Sequence, residues 1–359
     1  MSTAAEDVRY RASDLIEYAA ALFAAAGCDG DKPITIATAL VEADMLGHTT
    51  HGLQLASVYL GELETGNMTP RGEPDTIADR GGVVTWGGRR LPGVWLAAKA
   101  VDLAVARAVE HGVVTIVIRE SHHIACLATF LQRATDRGFM VTIASSDPAV
   151  ASVAPFGGRK AVFTPDPLAV GIPTDGDPIL IDISASITTN GMANRLRREG
   201  KRFPGQWALD SAGNATDKPE ALFGDSPGTL LPVGGTDHGH KGYGLALMVE
   251  ALTQGLSGYG RAEAPTRWGA SVFVQVIDPS AFGGADAFKR ETGWLAKACR
   301  DTPTVPGVDA VRLPGQRGLE RKRQALKEGV PVYPGILAGL EPFAAKFGVV
   351  PPQPIDATS

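Results

Sequence analysis

The chain has 359 residues, 34 Lys and Arg against 39 Asp and Glu, and a formal net charge of −5. A hydrophobic fraction of 44% is ample for a core and predicts one large domain or a few intimately packed ones. The mixed, mildly acidic charge argues against a nucleic-acid partner, and the lack of a signal core or a membrane-length apolar run predicts a cytoplasmic protein with no membrane partner.

The predicted elements begin with a helix over residues 12–27, apolar at helical spacing and stopped by Gly27. A second helix over Thr35 to Leu46 runs into Gly47-His48-Thr49-Thr50-His51-Gly52. A third carries Leu55, Val58, Tyr59 and Leu63. Val83 to Trp86 read as a strand before the turn "GGRRLPG", and Leu96 to Glu110 as an Ala-rich helix. The strand Val113 to Glu120 feeds directly into Ser121-His122-His123, a common way to present reactive side chains. A helix to about Arg137 and a strand over Met140 to Ser146 follow. The middle is rich in strands and turns, including "AVFTPDPLAVGIPT" and "PILIDISAS". The stretch from Gly239 to Gly258 is the strongest helix, with an apolar stripe of Leu245, Met248, Val249, Leu252 and Leu256. The strand "WGASVFVQVIDP", two more helices and a Pro/Gly-rich tail complete the chain. The mixture is α/β or α+β with a sheet across the middle, and no internal repeat is present.

Three cysteines, Cys28, Cys126 and Cys299, are far apart and odd in number, which predicts no disulfide framework and fits a reducing compartment. Cys126 reads as a buried thiol. The seven histidines fall almost wholly into three pairs: His48/His51, His122/His123 and His238/His240. His48 and His51 have a workable zinc spacing, to which His238 and His240 can add ligands, so a histidine-rich metal-dependent hydrolase is one reading. Adjacent His122 and His123 do not easily aim at one ion, and acid–base chemistry needs only one or two imidazoles. His48, His122 and His111 are read as hydrogen-bonded core histidines.

No Rossmann fingerprint and no Walker A loop is present. Gly239, Gly242, Gly244 and Lys241 lead into the strongest helix, either as an anion cradle or as a plain glycine-rich cap. Asp182 ends a strand and is followed at alternate positions by Ser184 and Ser186, a set that serves ribose and phosphate or simply caps the strand. The run Arg195 to Arg202 reads as a solvated helix face.

The blocks "GHTTHGLQLASVYLGELETG", "SHHIACLATF", "PFGGRKAVFTPDPLAVGIPT", "LIDISASITTNG", "GHKGYGLALMVEALTQGLSG" and "RLPGQRG" resemble, in order, those of the malate/L-lactate dehydrogenase family of NAD(P)-dependent oxidoreductases. The resemblance runs from about residue 10 to 345. It implies a non-Rossmann α/β fold: a central, largely antiparallel sheet domain for the dinucleotide, about residues 121–299, and a helical substrate domain, about 1–120, completed by about 300–359. It implies NADH or NADPH as cofactor, a small-molecule substrate and a homodimer. Hydride transfer to or from C2 of a 2-oxo or 2-hydroxy acid is the implied reaction. A cyclic 2-imino-acid reductase is the alternative within that chemistry, and a nucleotide-binding member without catalysis is a further one.

Carried over residue by residue, the resemblance assigns proton handling to His51 and His123, with Asp147 as an orienting carboxylate. Thr50, Leu55 and Ser121 fall at the substrate. Ser146, Asp182, Ser184, Ser186, His240, Lys241, Gly315, Gln316 and Arg317 fall on the cofactor blocks, and no metal ligand is implied. Four departures stand out: Leu55 replaces a family Arg suited to a carboxylate, Ala125 a Gly, Pro165-Asp166 a Thr-Asn, and Met192 a Lys. They point to a bulkier or less polar 2-oxo acid, or an imine, in place of malate or lactate. Arg89 and Arg90 are candidates to restore the lost charge, or are surface arginines.

Overall fold

The structure, a computed structural model, describes residues 8–355. The strands are β1 (Arg9–Tyr10), β2 (Asp75–Asp79), β3 (Val83–Gly87), β4 (Val113–Ser121), β5 (Met140–Ser146), β6 (Pro167–Ile172), β7 (Ile179–Ser184), β8 (Ala208–Leu209), β9 (Ala215–Thr216), β10 (Thr229–Leu230), β11 (Ala270–Ile277) and β12 (Val330–Pro331). The helices are α1 (Ala12–Ala25), α2 (Lys32–Leu46), α3 (Gln54–Glu64), α4 (Gly93–His111), α5 (Ala128–Thr135), α6 (Asn190–Arg198), α7 (Gly235–His238), α8 (His240–Glu250), α9 (Ala285–Asp301), α10 (Gln316–Glu328) and α11 (Ile336–Phe347).

Seven strands form one sheet in the order β2-β3-β4-β11-β5-β6-β7. Every neighbouring pair is antiparallel except β3 and β4, which run parallel because α4 carries the chain back between them. The sheet is therefore largely antiparallel, as the family resemblance implies. Alternation along the central strands separates two apolar faces. Ile116, Ile118, Val272 and Val274 join the main core with the helices, while Val117, Ala144 and Phe273 meet Val249 of α8 on the other side. Both faces are covered, which explains the largely apolar runs of β4 and β11, broken in mid-strand by the hydrogen-bonded pair Thr115 and Gln275.

The N- and C-terminal segments meet. β1 pairs with β12, α10 packs on α2, and α11 packs on α3. A smaller layer, the sheet β10-β8-β9 with α6, has its own core around Phe163, Phe203, Leu230 and Ala246.

Most predicted elements form, with shifted ends. The second helix starts at Lys32 because Pro33 fits a first helical turn, where its missing N–H costs nothing. β2 was invisible in the sequence because all five of its residues are exposed and no face alternates. The predicted apolar stripe of α8 is only partly buried: Val249 is fully buried, whereas Met248 and Leu256 are 41% and 57% exposed. A π turn over Ala251–Gly255 shifts the helical phase before Leu256. No helix among the described residues is long and apolar enough to cross a membrane.

Candidate active site

A cleft of about 780 Å³ opens between the α2–α3 turn, the β4–α5 loop, the ends of β5 and β7, and the first turn of α6. That is the size of a typical small-molecule or cofactor site, roughly 300–1,000 Å³. It gathers Thr50, His51, Leu55, His123, Ser146, Asp147, Asp182, Ser184 and Ser186 from the sequence-predicted set.

The His51 wall is built by a tight turn. α2 ends at left-handed Gly47, and Asp44 inside α2 reaches forward to accept the Leu53 N–H at 2.8 Å. Gly52 passes so close to this carboxylate that a Cβ there would lie 2.2 Å from Asp44 Oδ1. Burial raises the Asp44 carboxyl to about 7, against the opposing Leu53 N–H and Arg195 charge. His51 Nδ1 lies 3.0 Å from Thr50 Oγ1. Burial first, then His48 and Arg195, lower His51 to about 4, so it is neutral near pH 7.

The second wall follows β4. Gly93, the first residue of α4, lies under the histidine pair, where a Cβ would come within 1.9 Å of the His122 carbonyl oxygen. His123 Nδ1 lies 2.7 Å from the Tyr59 hydroxyl and 3.3 Å from the Ala125 nitrogen. Its ring stacks on Trp268 at 4.7 Å and lies 6.0 Å from the His51 ring. Burial, aided by His51 and His122, holds His123 well below the usual imidazole range. Ala125 adopts a left-handed φ of 57°, a conformation suited to the Gly that the family block carries there.

His122 matches the core reading. It is fully buried, its Nε2 sits 3.1 Å from Glu62 Oε2, and its ring meets Trp268 edge-on at 5.0 Å. The other two core assignments fail. His111 is exposed in the last turn of α4. His48 lines the cleft.

The far side of the cleft is acidic and hydroxylic. Asp147 Oδ1 accepts the Ala149 N–H at 2.8 Å, while Oδ2 is buried with no partner, and burial raises its pKa. Ser146 Oγ donates to Glu250 Oε1 at 2.8 Å, and Arg261 pairs with the same oxygen at 2.7 Å. Beside them Asp166, fully buried and left-handed at φ 49°, is raised to about 8 by burial and by Glu250. Asp182 accepts the Ala128 N–H at the start of α5, 2.9 Å away, and the Cys126 thiol at 3.5 Å. The hydroxyls of Ser184 and Ser186 donate to the carbonyls of Ser186 and Thr188, at 2.8 and 2.6 Å, and shape the loop into α6.

His48, Cys126 and Asp182 bring their ligand atoms within 4.8 Å of one another, the only such group among the described residues. Burial and the Asp182 charge push the Cys126 thiol well up, and its S–H donates to the Asp182 carboxylate, 3.5 Å away. The histidine set predicted for a hydrolase does not converge: His238 and His240 lie beside each other on an exposed helix start outside the cleft.

Other sequence-predicted residues also stand outside the lining. Ser121 is fully buried and donates to the His122 carbonyl at 2.8 Å. His240 and Lys241 are exposed on the first turn of α8. Gly315, left-handed, packs against Leu180 and bounds α10; Gln316 bonds Glu320, and Arg317 is exposed. Arg89 faces Asp75 at the surface. Arg90 supports the site indirectly, holding the Trp268 carbonyl at 2.9 Å.

Three site residues escaped the sequence reading. Tyr59 looked like one more apolar residue of a helix stripe. Trp268 lies just before a strand, with nothing local to mark it. Arg195 was assigned to a solvated face; Arg197 and Arg198 are exposed as expected, but Arg195 is half-buried and lines the cleft.

Residues 10–341 match the family model described as malate/L-lactate dehydrogenase. An L-lactate dehydrogenase of Cupriavidus necator is 29% identical, over 92% of this chain and 95% of the relative. The solved malate dehydrogenase of Pyrococcus horikoshii superposes with a TM-score of 0.86 at 25% identity, covering 98% of this chain and 99% of its own. A Δ1-piperideine-2-carboxylate reductase of Pseudomonas syringae superposes with a TM-score of 0.81 at 26% identity, covering 94% and 99%. With the match spanning both ends of the sheet and every wall of the cleft, the chain belongs to the malate/L-lactate dehydrogenase family of oxidoreductases.

Proposed function

We propose that the protein interconverts a 2-oxo acid and its 2-hydroxy acid, with NADH or NADPH as the redox partner. The carrying observation is the setting of His123. Its ring is fixed by Trp268, its Nδ1 is held by Tyr59, and no protein group bonds its Nε2 among the described residues. The cleft suits a dinucleotide in size; the start of α6, Asp182 and the Ser184–Ser186 loop are the residues to hold it. Asp147 offers a buried, unpartnered acceptor there. When bound, the nicotinamide supplies the two-electron chemistry at substrate C2.

The chain's own part is the proton. In the oxidative direction neutral His123 takes the hydroxyl proton at Nε2. In this tautomer Nδ1 carries the ring proton and donates it to the Tyr59 oxygen, with the Tyr59 O–H turned to the His123 carbonyl, 3.5 Å away, both before and after the transfer. Reduction reverses these moves. His51, on the facing wall, orients the substrate. The sheet-centred region of about 121–299 serves the dinucleotide, and the helical region with the C-terminal segment serves the substrate. The working unit in this reading is a cytoplasmic homodimer.

Thermal unfolding with NADH and with NADPH is the first test, because a ligand of the native state raises the midpoint. Turnover of 2-oxo acids and of cyclic imines then separates the main reading from the imine alternative. A rise with one dinucleotide and 2-oxo-acid-dependent oxidation, lost in H123A, is expected. No shift and no turnover with any of them overturns the proposal.

A further inference from the structure

We infer that Arg195 is the residue that recognises the substrate carboxylate, an inference that rests on the 2-oxo-acid reading above. Leu55 stands in the cleft wall where the family block has Arg, so that position carries no cation. Among the residues lining the cleft, Arg195 is the only Lys or Arg. Its Nη1 donates to Thr49 Oγ1 at 2.9 Å and its Nη2 to Gln54 Oε1 at 3.1 Å. Both partners are neutral. The Tyr333 ring lies 4.5 Å from the guanidinium carbon, and Nε is buried with no partner. By contrast Arg261, similarly buried, is paired with Glu250 at 2.7 Å. A half-buried guanidinium hydrogen-bonded only to neutral groups, with Glu199 and Asp44 in range of its charge but not in an ion pair with it, can take an anion entering the cleft through paired hydrogen bonds.

Its position selects carboxylate over phosphate. Thr49 and Gln54 flank the turn that carries His51, and the Arg195 charge is close enough to lower the pKa of that histidine. The cation thus faces the proton-handling wall and not the Ser184–Ser186 loop. It has moved from the start of α3 to α6, leaving Leu55 as an apolar surface beside it. One cation and one apolar wall fit a 2-oxo monocarboxylate with an aliphatic side chain better than a dicarboxylate, which needs a second cation.

The test compares wild type, R195L, R195K, R195Q and L55R/R195L, with 2-oxobutyrate, 2-oxoisovalerate and oxaloacetate as substrates. R195L is expected to raise KM for the monocarboxylates roughly 10- to 100-fold, with a smaller change in kcat and unchanged dinucleotide affinity. L55R/R195L is expected to recover part of the loss. R195Q keeps one amide donor on this wall without the charge, and carries the comparison if R195L does not fold. Unchanged KM in R195L and R195Q overturns the inference, and so does a loss confined to dinucleotide affinity. Calorimetry of oxamate binding keeps the two proposals distinct. If wild type turns over no 2-oxo acid yet binds oxamate and R195Q does not, the proposed reaction falls and the carboxylate site stands; no oxamate binding by wild type overturns the site.

Discussion

Tyr59 and His123, 64 positions apart in sequence, meet in a 2.7 Å hydrogen bond that couples α3 to the loop after β4. The Tyr59 hydroxyl also lies 3.5 Å from the His123 carbonyl, so an O–H turned to that carbonyl leaves the Tyr59 oxygen free to accept from Nδ1 and fixes the tautomer with a free Nε2. Tyr59 is a positioning residue in this arrangement. Tyr59→Phe is expected to lower kcat about tenfold or more, with KM little changed, because a buried polar nitrogen loses its partner at a cost of about 1–3 kcal/mol. Without the Tyr oxygen the charged imidazole is less well supported, so the pKa that governs reduction moves further down. A pH–rate profile checks that direction, and an unmoved profile counts against the role. His123→Ala is expected to cost more, on the order of 10²- to 10⁴-fold in kcat.

Gly52 is needed for space and not for an unusual φ. Gly52→Ala drives a methyl into the Asp44 carboxylate, which in turn holds the Leu53 N–H. The expected loss is about 1–3 kcal/mol of stability, seen as a lower denaturant midpoint, together with lower activity as the His51 turn shifts. Asp44→Ala frees the Leu53 N–H and is expected to cost a similar amount. A G52A variant as stable and as active as wild type would contradict this packing.

Gly93 makes the matching prediction on the other wall. Its α-carbon sits against the backbone of His122, so Gly93→Ala must displace either α4 or the histidine pair. Activity is expected to fall more steeply than stability, because about an ångström at His123 matters more to chemistry than to the core. Comparing kcat with the urea midpoint of the same variant reads the two effects separately.

Stability should fall as pH rises from 6.5 to 8. Burial raises Asp166 to about 8 and Asp44 to about 7, against about 4 for an unfolded carboxyl. Between those limits the folded state holds more protons than the unfolded one, so raising the pH favours unfolding. The buried histidines act in the opposite sense, but only below about pH 6.5, where unfolded imidazole takes up protons that folded His51 refuses until about pH 4. Asp166→Asn is expected to flatten the decline above pH 6.5. Urea midpoints measured across pH 6 to 8.5 check this, and an unchanged slope in D166N would remove Asp166 as its source.

What the sequence alone determined is local or linear. The apolar runs over Val113–Glu120 and Met140–Ser146 reported strands because a short β-branched run is what a strand covered on both faces requires of the chain itself. The ordered blocks identified the family, and with it a largely antiparallel sheet with no Rossmann loop. They also picked out His51, His123, Asp147 and Asp182, all of which line one cleft. What only the tertiary structure decided is the company these residues keep. Tyr59, Trp268 and Arg195 come from three distant segments, and their neighbours in sequence are ordinary helix or loop residues. Arg195 differs from exposed Arg197 and Arg198 only in the side of α6 it occupies. The same limit explains His48, read as core yet placed in the cleft, and Leu256, read as part of one apolar stripe yet 57% exposed after a π turn. Periodicity reports which residues share a face. Which face meets the cleft depends on packing between elements far apart in the chain, and no local pattern encodes that.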